Sequence, residues 1–131
     1  MLRMAVMAFL VLALSGARAE ELTSKEYAAC MAKATGGATA KQDCVADEMT
    51  RQERRVVMAF QSLVASLPKD RRNKVRRAQE RWNGFRQAHC SFYDSGKVAV
   101  AMRLTANECL LNYTAQRAAE LESMKREAAG I

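Results

Sequence analysis

The stretch RWNGFRQAHC, residues 81–90, contains the chain's only Trp, its only His and one of its four cysteines. Three readings compete for it: the corner of a metal site, a thiol nucleophile beside its base, or a piece of helical scaffold. At about 100° per helical residue, Val75, Ala78, Trp82, Phe85, His89 and Tyr93 fall on one face. His89 sits in the middle of that face and Cys90 on its edge. Adjacent helical residues diverge by about 100°, so His89 does not face the sulfur next to it, whereas a nucleophile and its base must lie within hydrogen-bond reach. Zinc needs three or four ligands, and the chain offers one His and no C-x-x-C pair. The scaffold reading prevails: an amphipathic helix with a structural, core-facing His89 and with Cys90 placed to bridge to a neighbouring helix.

Residues 1–19 read as an export signal. Arg3 supplies the positive end, Ala5 to Leu14 is an unbroken apolar run, and Ala17-Arg18-Ala19 has the small-x-small form that signal peptidase cuts. The run is too short to span a bilayer, which takes about 20 apolar residues. Cys30 comes too late after the run to accept a lipoprotein's lipid. The expected location is therefore periplasmic or secreted, with the membrane met only through the signal peptide. Residues 20–131 then form a single small domain. In an oxidising compartment Cys30, Cys44, Cys90 and Cys109 read as a disulfide framework, for which three pairings are open. Without Arg3 and Arg18, the 21 basic residues fall to 19 against 14 acidic ones, a net charge of +5. Eight of the 19 lie between Lys69 and Arg86, where only Asp70 and Glu80 oppose them, so the basicity is local.

No stretch alternates apolar and polar residues long enough to predict a strand. Thr23-Ser24-Lys25-Glu26 has the form of a capping box and opens a short helix that ends at Gly36-Gly37. Thr39-Ala40-Lys41-Gln42 repeats the form and opens a long helix to near Leu67. Its apolar line is Val45, Met49, Val56, Phe60, Leu63 and Leu67, interrupted by Gln52. Pro68 stops that helix, Asp70 caps a third, and Asp94 to Lys97 is a turn. A fourth helix from Val98 to Met124 carries Met102, Ala106, Cys109, Tyr113, Leu121 and Met124. Each line covers one face only, so the helices must pack on one another. The expected fold is all-α: a small bundle of one short N-terminal helix and three longer ones, stapled by two disulfides.

Arg86 falls between Trp82 and Tyr93 on the wheel, where an unpaired guanidinium is costly to bury. Glu53, on the shoulder of the second helix's apolar face, is the expected partner. Arg117 repeats the problem between Tyr113 and Leu121. Both arginines read as structural, with their stems along the core and their heads toward the surface.

Trp82-x-x-Phe85-Arg86-x-x-x-Cys90, followed by Cys109 and Thr114-x-x-Arg117-x-x-x-Leu121, resembles the signature of the lysozyme inhibitor LprI N-terminal domain family. Upstream, Cys44 with Glu53, Val56, Phe60 and Leu63 is similar to that family's second-cysteine helix. The similarity runs from about Cys30 to Met124. Val57 stands where an Asn is usual and Phe60 where a Tyr is common, which removes polar groups from the second helix. The resemblance implies a small, exported, disulfide-bonded helical domain of bacteria, one named branch of which is associated with inhibiting lysozyme.

The expected function is that of a non-enzymatic binding protein inhibiting a lysozyme-like enzyme. There is no second His, no Ser-His-Asp set and no glycine-rich phosphate loop, so no catalytic, cofactor or metal residues are expected. A strongly cationic lysozyme would be repelled at long range by a +5 partner, although a local acidic patch, around Glu120 and Glu122 for instance, could still dock. The alternatives are an envelope protein whose basic helix binds an anionic component, and a structural domain. Export, and the lack of aromatics among the exposed basic positions, argue against nucleic acid. The cysteine pairing expected is Cys30 with Cys44 and Cys90 with Cys109, because each pair flanks a turn between consecutive helices.

Overall fold

The computed structural model describes residues 22–94 and 99–130. The export signal expected at residues 1–19 lies outside them. Four α-helices account for most of the described chain, and no strand occurs among these residues: α1 (Lys25–Lys33), α2 (Gly37–Ser66), α3 (Lys69–Cys90) and α4 (Val100–Ala129). A short 3-10 turn, Ser91–Tyr93, extends α3. The all-α bundle and its two disulfides are as the sequence predicts: Cys30 is bonded to Cys44 and Cys90 to Cys109, each with a Cα–Cα distance of 5.7 Å. No helix among the described residues is long and apolar enough to cross a membrane.

The helix boundaries differ from the expected ones for local reasons. Ser24, not Thr23, caps α1, its hydroxyl accepting the Tyr27 amide at 3.1 Å. The Gly36-Gly37 pair does not end α1, which stops at Lys33; it opens α2 instead. Gly37 takes the left-handed φ of 72°, which a side chain would strain, so the chain reverses there and α2 begins before Thr39. Leu67 is extended ahead of Pro68, as the residue before a proline prefers, and this breaks α2 from α3. Pro68 occupies the N-cap of α3; Asp70 lies in the first turn, where its charge suits the helix dipole, but it is not the cap.

The main packing is between α2 and α4, which run parallel: Met49 meets Thr114, Arg55 meets Glu122 and Ser62 meets Lys125. Small side chains let the two backbones approach, with Ala115 and Ala118 wholly buried and Ala59 nearly so. Leu63 and Leu121 sit in one apolar cluster, with Val56, Leu67 and Val75; Leu111 sits in a second, with Val45 and Leu104. Each fully buried leucine contributes about 1.5–3 kcal/mol relative to exposure.

Two expected apolar lines are corrected. On α3 only Val75, Arg86 and Cys90 are buried; Ala78, Phe85, His89 and Tyr93 are exposed, and Trp82 is half-buried. On α4 the core-facing residues are Leu104, Leu111, Thr114, Ala115, Arg117, Ala118 and Leu121, so of the expected line only Leu121 is buried. Cys109 and Tyr113 belong instead to the flank turned toward α3, as the disulfide and the ring contacts of Tyr113 with Phe85 and His89 show.

Candidate functional site

The two motif arginines converge on Trp82. The Arg86 guanidinium lies 4.9 Å from the Trp82 ring centroid and that of Arg117 lies 5.8 Å from it, so one indole takes cation–π contacts from two buried arginines. Arg86 and Trp82 are one helical turn apart on α3, while Arg117 reaches across from α4. Arg117 donates from Nε to Gln79 at 2.9 Å and from Nη1 to Glu120 at 2.7 Å. Arg86 donates to Thr114 Oγ1 at 2.7 Å and to Asn83 Oδ1 at 3.1 Å. The Thr114 hydroxyl in turn donates to the Leu110 carbonyl at 2.6 Å, which fixes its orientation.

Glu53 stands near Arg86, but at 3.9 Å and with its side chain 56% exposed it is a loose ion pair. The buried partner of Arg86 is Thr114, a neutral hydroxyl that charge matching along the sequence does not single out. Phe85 and Leu121 do not join the Trp82 node. Phe85 points to the aromatic cluster with His89 and Tyr113, and Leu121 packs in the apolar core.

Glu53 and Arg86 form a shared wall between two clefts. One, of about 300 Å³, is bordered further by Val45, Met49, Gln87 and Asn107; the other, of about 250 Å³, by Val57, Gln79, Trp82 and Asn83. Both clefts reflect the thin contact between α2 and α3, since α3 is charge-rich and buries few side chains. The motif therefore builds a cationic, aromatic strut that holds α3 to α4, with shallow clefts beside it.

A second polar centre is not among the residues that the sequence singles out. Glu48, wholly buried on α2, accepts the Ser24 amide at 2.7 Å, the Ser24 hydroxyl at 2.5 Å, Gln52 Nε2 at 2.7 Å and Arg51 Nε at 2.8 Å. Burial pushes its carboxyl pKa up, but the hydrogen bonds from Gln52, Ser24 and Arg51 outweigh that and hold it below the ordinary value. Gln52, which looked like an interruption of the apolar line, is part of this network. The signal available was the Glu48/Gln52 spacing of four, which places two polar residues on the apolar face together.

The acidic patch expected at Glu120 and Glu122 carries internal partners. Glu122 holds Arg55 through two hydrogen bonds of 2.7 and 2.6 Å, which lower its carboxyl pKa, and Glu120 is paired with Arg117. Both charges are already matched within the fold. On α3, by contrast, Lys69, Arg71, Lys74, Arg76, Arg77 and Arg81 are exposed and make no ion pair among the described residues. Among the described residues no group of three or more His, Cys, Asp or Glu side chains is placed to hold a metal ion.

A family model described as lysozyme inhibitor LprI matches residues 30–121. No curated protein and no solved structure matches the chain.

Proposed function

This chain belongs to the lysozyme inhibitor LprI family, and from that premise we propose that it is an exported, non-enzymatic inhibitor of a lysozyme-like enzyme, acting by binding alone. In this reading residues 20–131 form one inhibitor domain. The family match is the observation that carries it, and the two disulfides fit a protein working in an oxidising compartment.

The docking face we assign is the outer side of α3. Glycoside hydrolases of this kind set a pair of carboxylates in a cleft at the scissile bond. An inhibitor that blocks such a cleft has to offer cations or donors, and Arg76, Arg77 and Arg81 are among the exposed cations of α3 that make no ion pair among the described residues. Attraction at the cleft then works against the long-range repulsion between two cationic proteins. The test is peptidoglycan hydrolysis by c-type, g-type and bacterial lytic enzymes in the presence of the protein. Inhibition of one class at micromolar protein, weakened about tenfold or more by Arg76→Glu with Arg77→Glu and Arg81→Glu, is the expected result. Full activity of all three classes removes the reading.

The same unpaired cations favour a second reading, in which α3 binds an anionic envelope polymer. Binding would then fall steeply with added salt, as counterion release requires, and no lytic enzyme would be inhibited.

A further inference from the structure

The face of the bundle beside the Cys90–Cys109 bond carries a cleft of about 390 Å³ that neither the Trp82 node nor the basic face of α3 uses. It is bordered by His89 and Tyr93 on one side and by Glu108, Asn112, Tyr113 and Gln116 of α4 on the other. Its composition differs from that of the clefts flanking Arg86: two phenol rings, an imidazole, two amides and one carboxylate.

We propose that this cleft is a carbohydrate-binding site that takes an uncharged oligosaccharide. Three observations carry the assignment. First, the polar groups are unspent among the described residues. The side chains of Glu108, Asn112 and Gln116, the hydroxyls of Tyr93 and Tyr113 and the ring of His89 make no hydrogen bond or ion pair to other described residues. A sugar hydroxyl donates one hydrogen bond and accepts others, so it is best met by groups that do both. Amides supply a donor and an acceptor on one side chain, and the carboxylate supplies acceptors beside them.

Second, the rings are arranged and held. His89 and Tyr113 meet edge to face with centroids 5.0 Å apart, Phe85 packs on Tyr113 at 5.6 Å and on His89 at 5.5 Å, and Phe92 packs on Tyr93 at 5.3 Å. The disulfide clamps α3 to α4 beside this cluster. The axial C–H bonds of a pyranose make one of its faces apolar and weakly positive, which suits the negative face of an aromatic ring. A preformed platform lowers the ordering cost of such a contact.

Third, the shape suits a chain of sugars. Glu108, Asn112 and Gln116 follow one another at steps of four along α4, so they form a row about 12 Å long at 1.5 Å per residue. The cleft volume lies within the range of small-ligand sites, which run from about 300 to 1,000 Å³. A cationic ligand would also find rings and one carboxylate here, but it would leave two amides without a use.

The test is a titration of the disulfide-bonded protein with tetra-N-acetylchitotetraose and maltotetraose, followed by amide and tyrosine ring resonances. The expected result is saturable shifts confined to residues 85–93 and 105–116, with a dissociation constant on the order of 1 mM or tighter for at least one sugar. Asn112→Ala and Gln116→Ala change exposed side chains that hold nothing in the fold, so both variants should keep the wild-type helical content. Each should weaken binding about fivefold, the size of one lost hydrogen bond. Three results overturn the proposal: no saturable shift with either sugar, shifts located elsewhere, or unchanged affinity in the double variant. Saturation of the cleft by tetramethylammonium with no response to sugar also overturns it, in favour of a cation cage. Lysozyme inhibition measured on the same double variant should be unchanged, because the docking face assigned on α3 is a different surface.

Discussion

Glu48 completes the cap of a helix that is not its own: its carboxylate accepts both the backbone N–H and the hydroxyl of Ser24, 24 residues earlier in the chain. In a capping box the reciprocal carboxylate comes from the third residue of the same helix. Here Tyr27 occupies that position and α2 supplies the acid, so the start of α1 is tied to α2 by charge-assisted bonds. Glu48→Ala leaves the Ser24, Gln52 and Arg51 donors without their acceptor and should cost about 3 kcal/mol in urea unfolding. Hydrogen exchange of Lys25 to Lys33 should accelerate more than that of α4; equal acceleration in both would refute the link.

The same carboxylate sets an acid limit. Glu48 and Glu122 both have their pKa values lowered in the folded state. A depressed folded pKa contributes stability that is present above the unfolded carboxylate range, near pH 4.3, and is lost as pH falls through the folded value. Stability should therefore decline below about pH 4, and Glu48→Gln should show a shallower decline than wild type. Parallel acid profiles for the two proteins would contradict this.

The two disulfides should protect different helices. The bonded pairs are separated by 14 and 19 residues, so chain entropy gives each about 3 kcal/mol. Because α3 buries only Val75, Arg86 and Cys90, replacing Cys90 and Cys109 with Ser should raise exchange selectively in α3. Replacing Cys30 and Cys44 should do so in α1, which has no buried residue of its own. Exchange mapped by peptide mass distinguishes the two patterns.

Arg86 should be coupled to Thr114 more strongly than to Glu53. The Thr114 hydroxyl is buried at 2.7 Å, whereas the Glu53 carboxylate is at 3.9 Å and half in water. Double-mutant cycles should give about 1–2 kcal/mol for Arg86 with Thr114. The Arg86–Glu53 cycle should give about 0.5 kcal/mol or less. The reverse order would show that Glu53 is the true counter-ion.

Ala118 is wholly buried in the apolar cluster at the α2–α4 contact. Ala118→Leu should push the two helices apart and lower stability by about 1–3 kcal/mol, whereas Ala101→Leu, exposed on the same helix, should change it little. Thermal unfolding of the two variants checks this directly.

Much of the fold was legible in the chain itself. Steps of three and four gave the helices, Pro68 gave the break between α2 and α3, and the placing of each cysteine pair on consecutive helices gave the pairing. These features are local, and local sterics and backbone geometry enforce them. The faces of α3 and α4 were not legible in the same way. The apolar residues on α4 are spread around the helix because it packs on α2 with one side and meets α3 with another. Its closest contacts use Ala115, Ala118 and Thr114, which carry little hydrophobic signal. On α3 the ring-bearing residues Phe85 and His89 lie outside the core, because Cys90 and Arg86, set by the disulfide and by Thr114, fix the rotation of the helix. Nor could the sequence show that α2 pairs chiefly with α4, the helix after next, or that Glu48 reaches Ser24. Which partner meets a buried charge depends on how separate helices are brought together, and only the tertiary structure decides that.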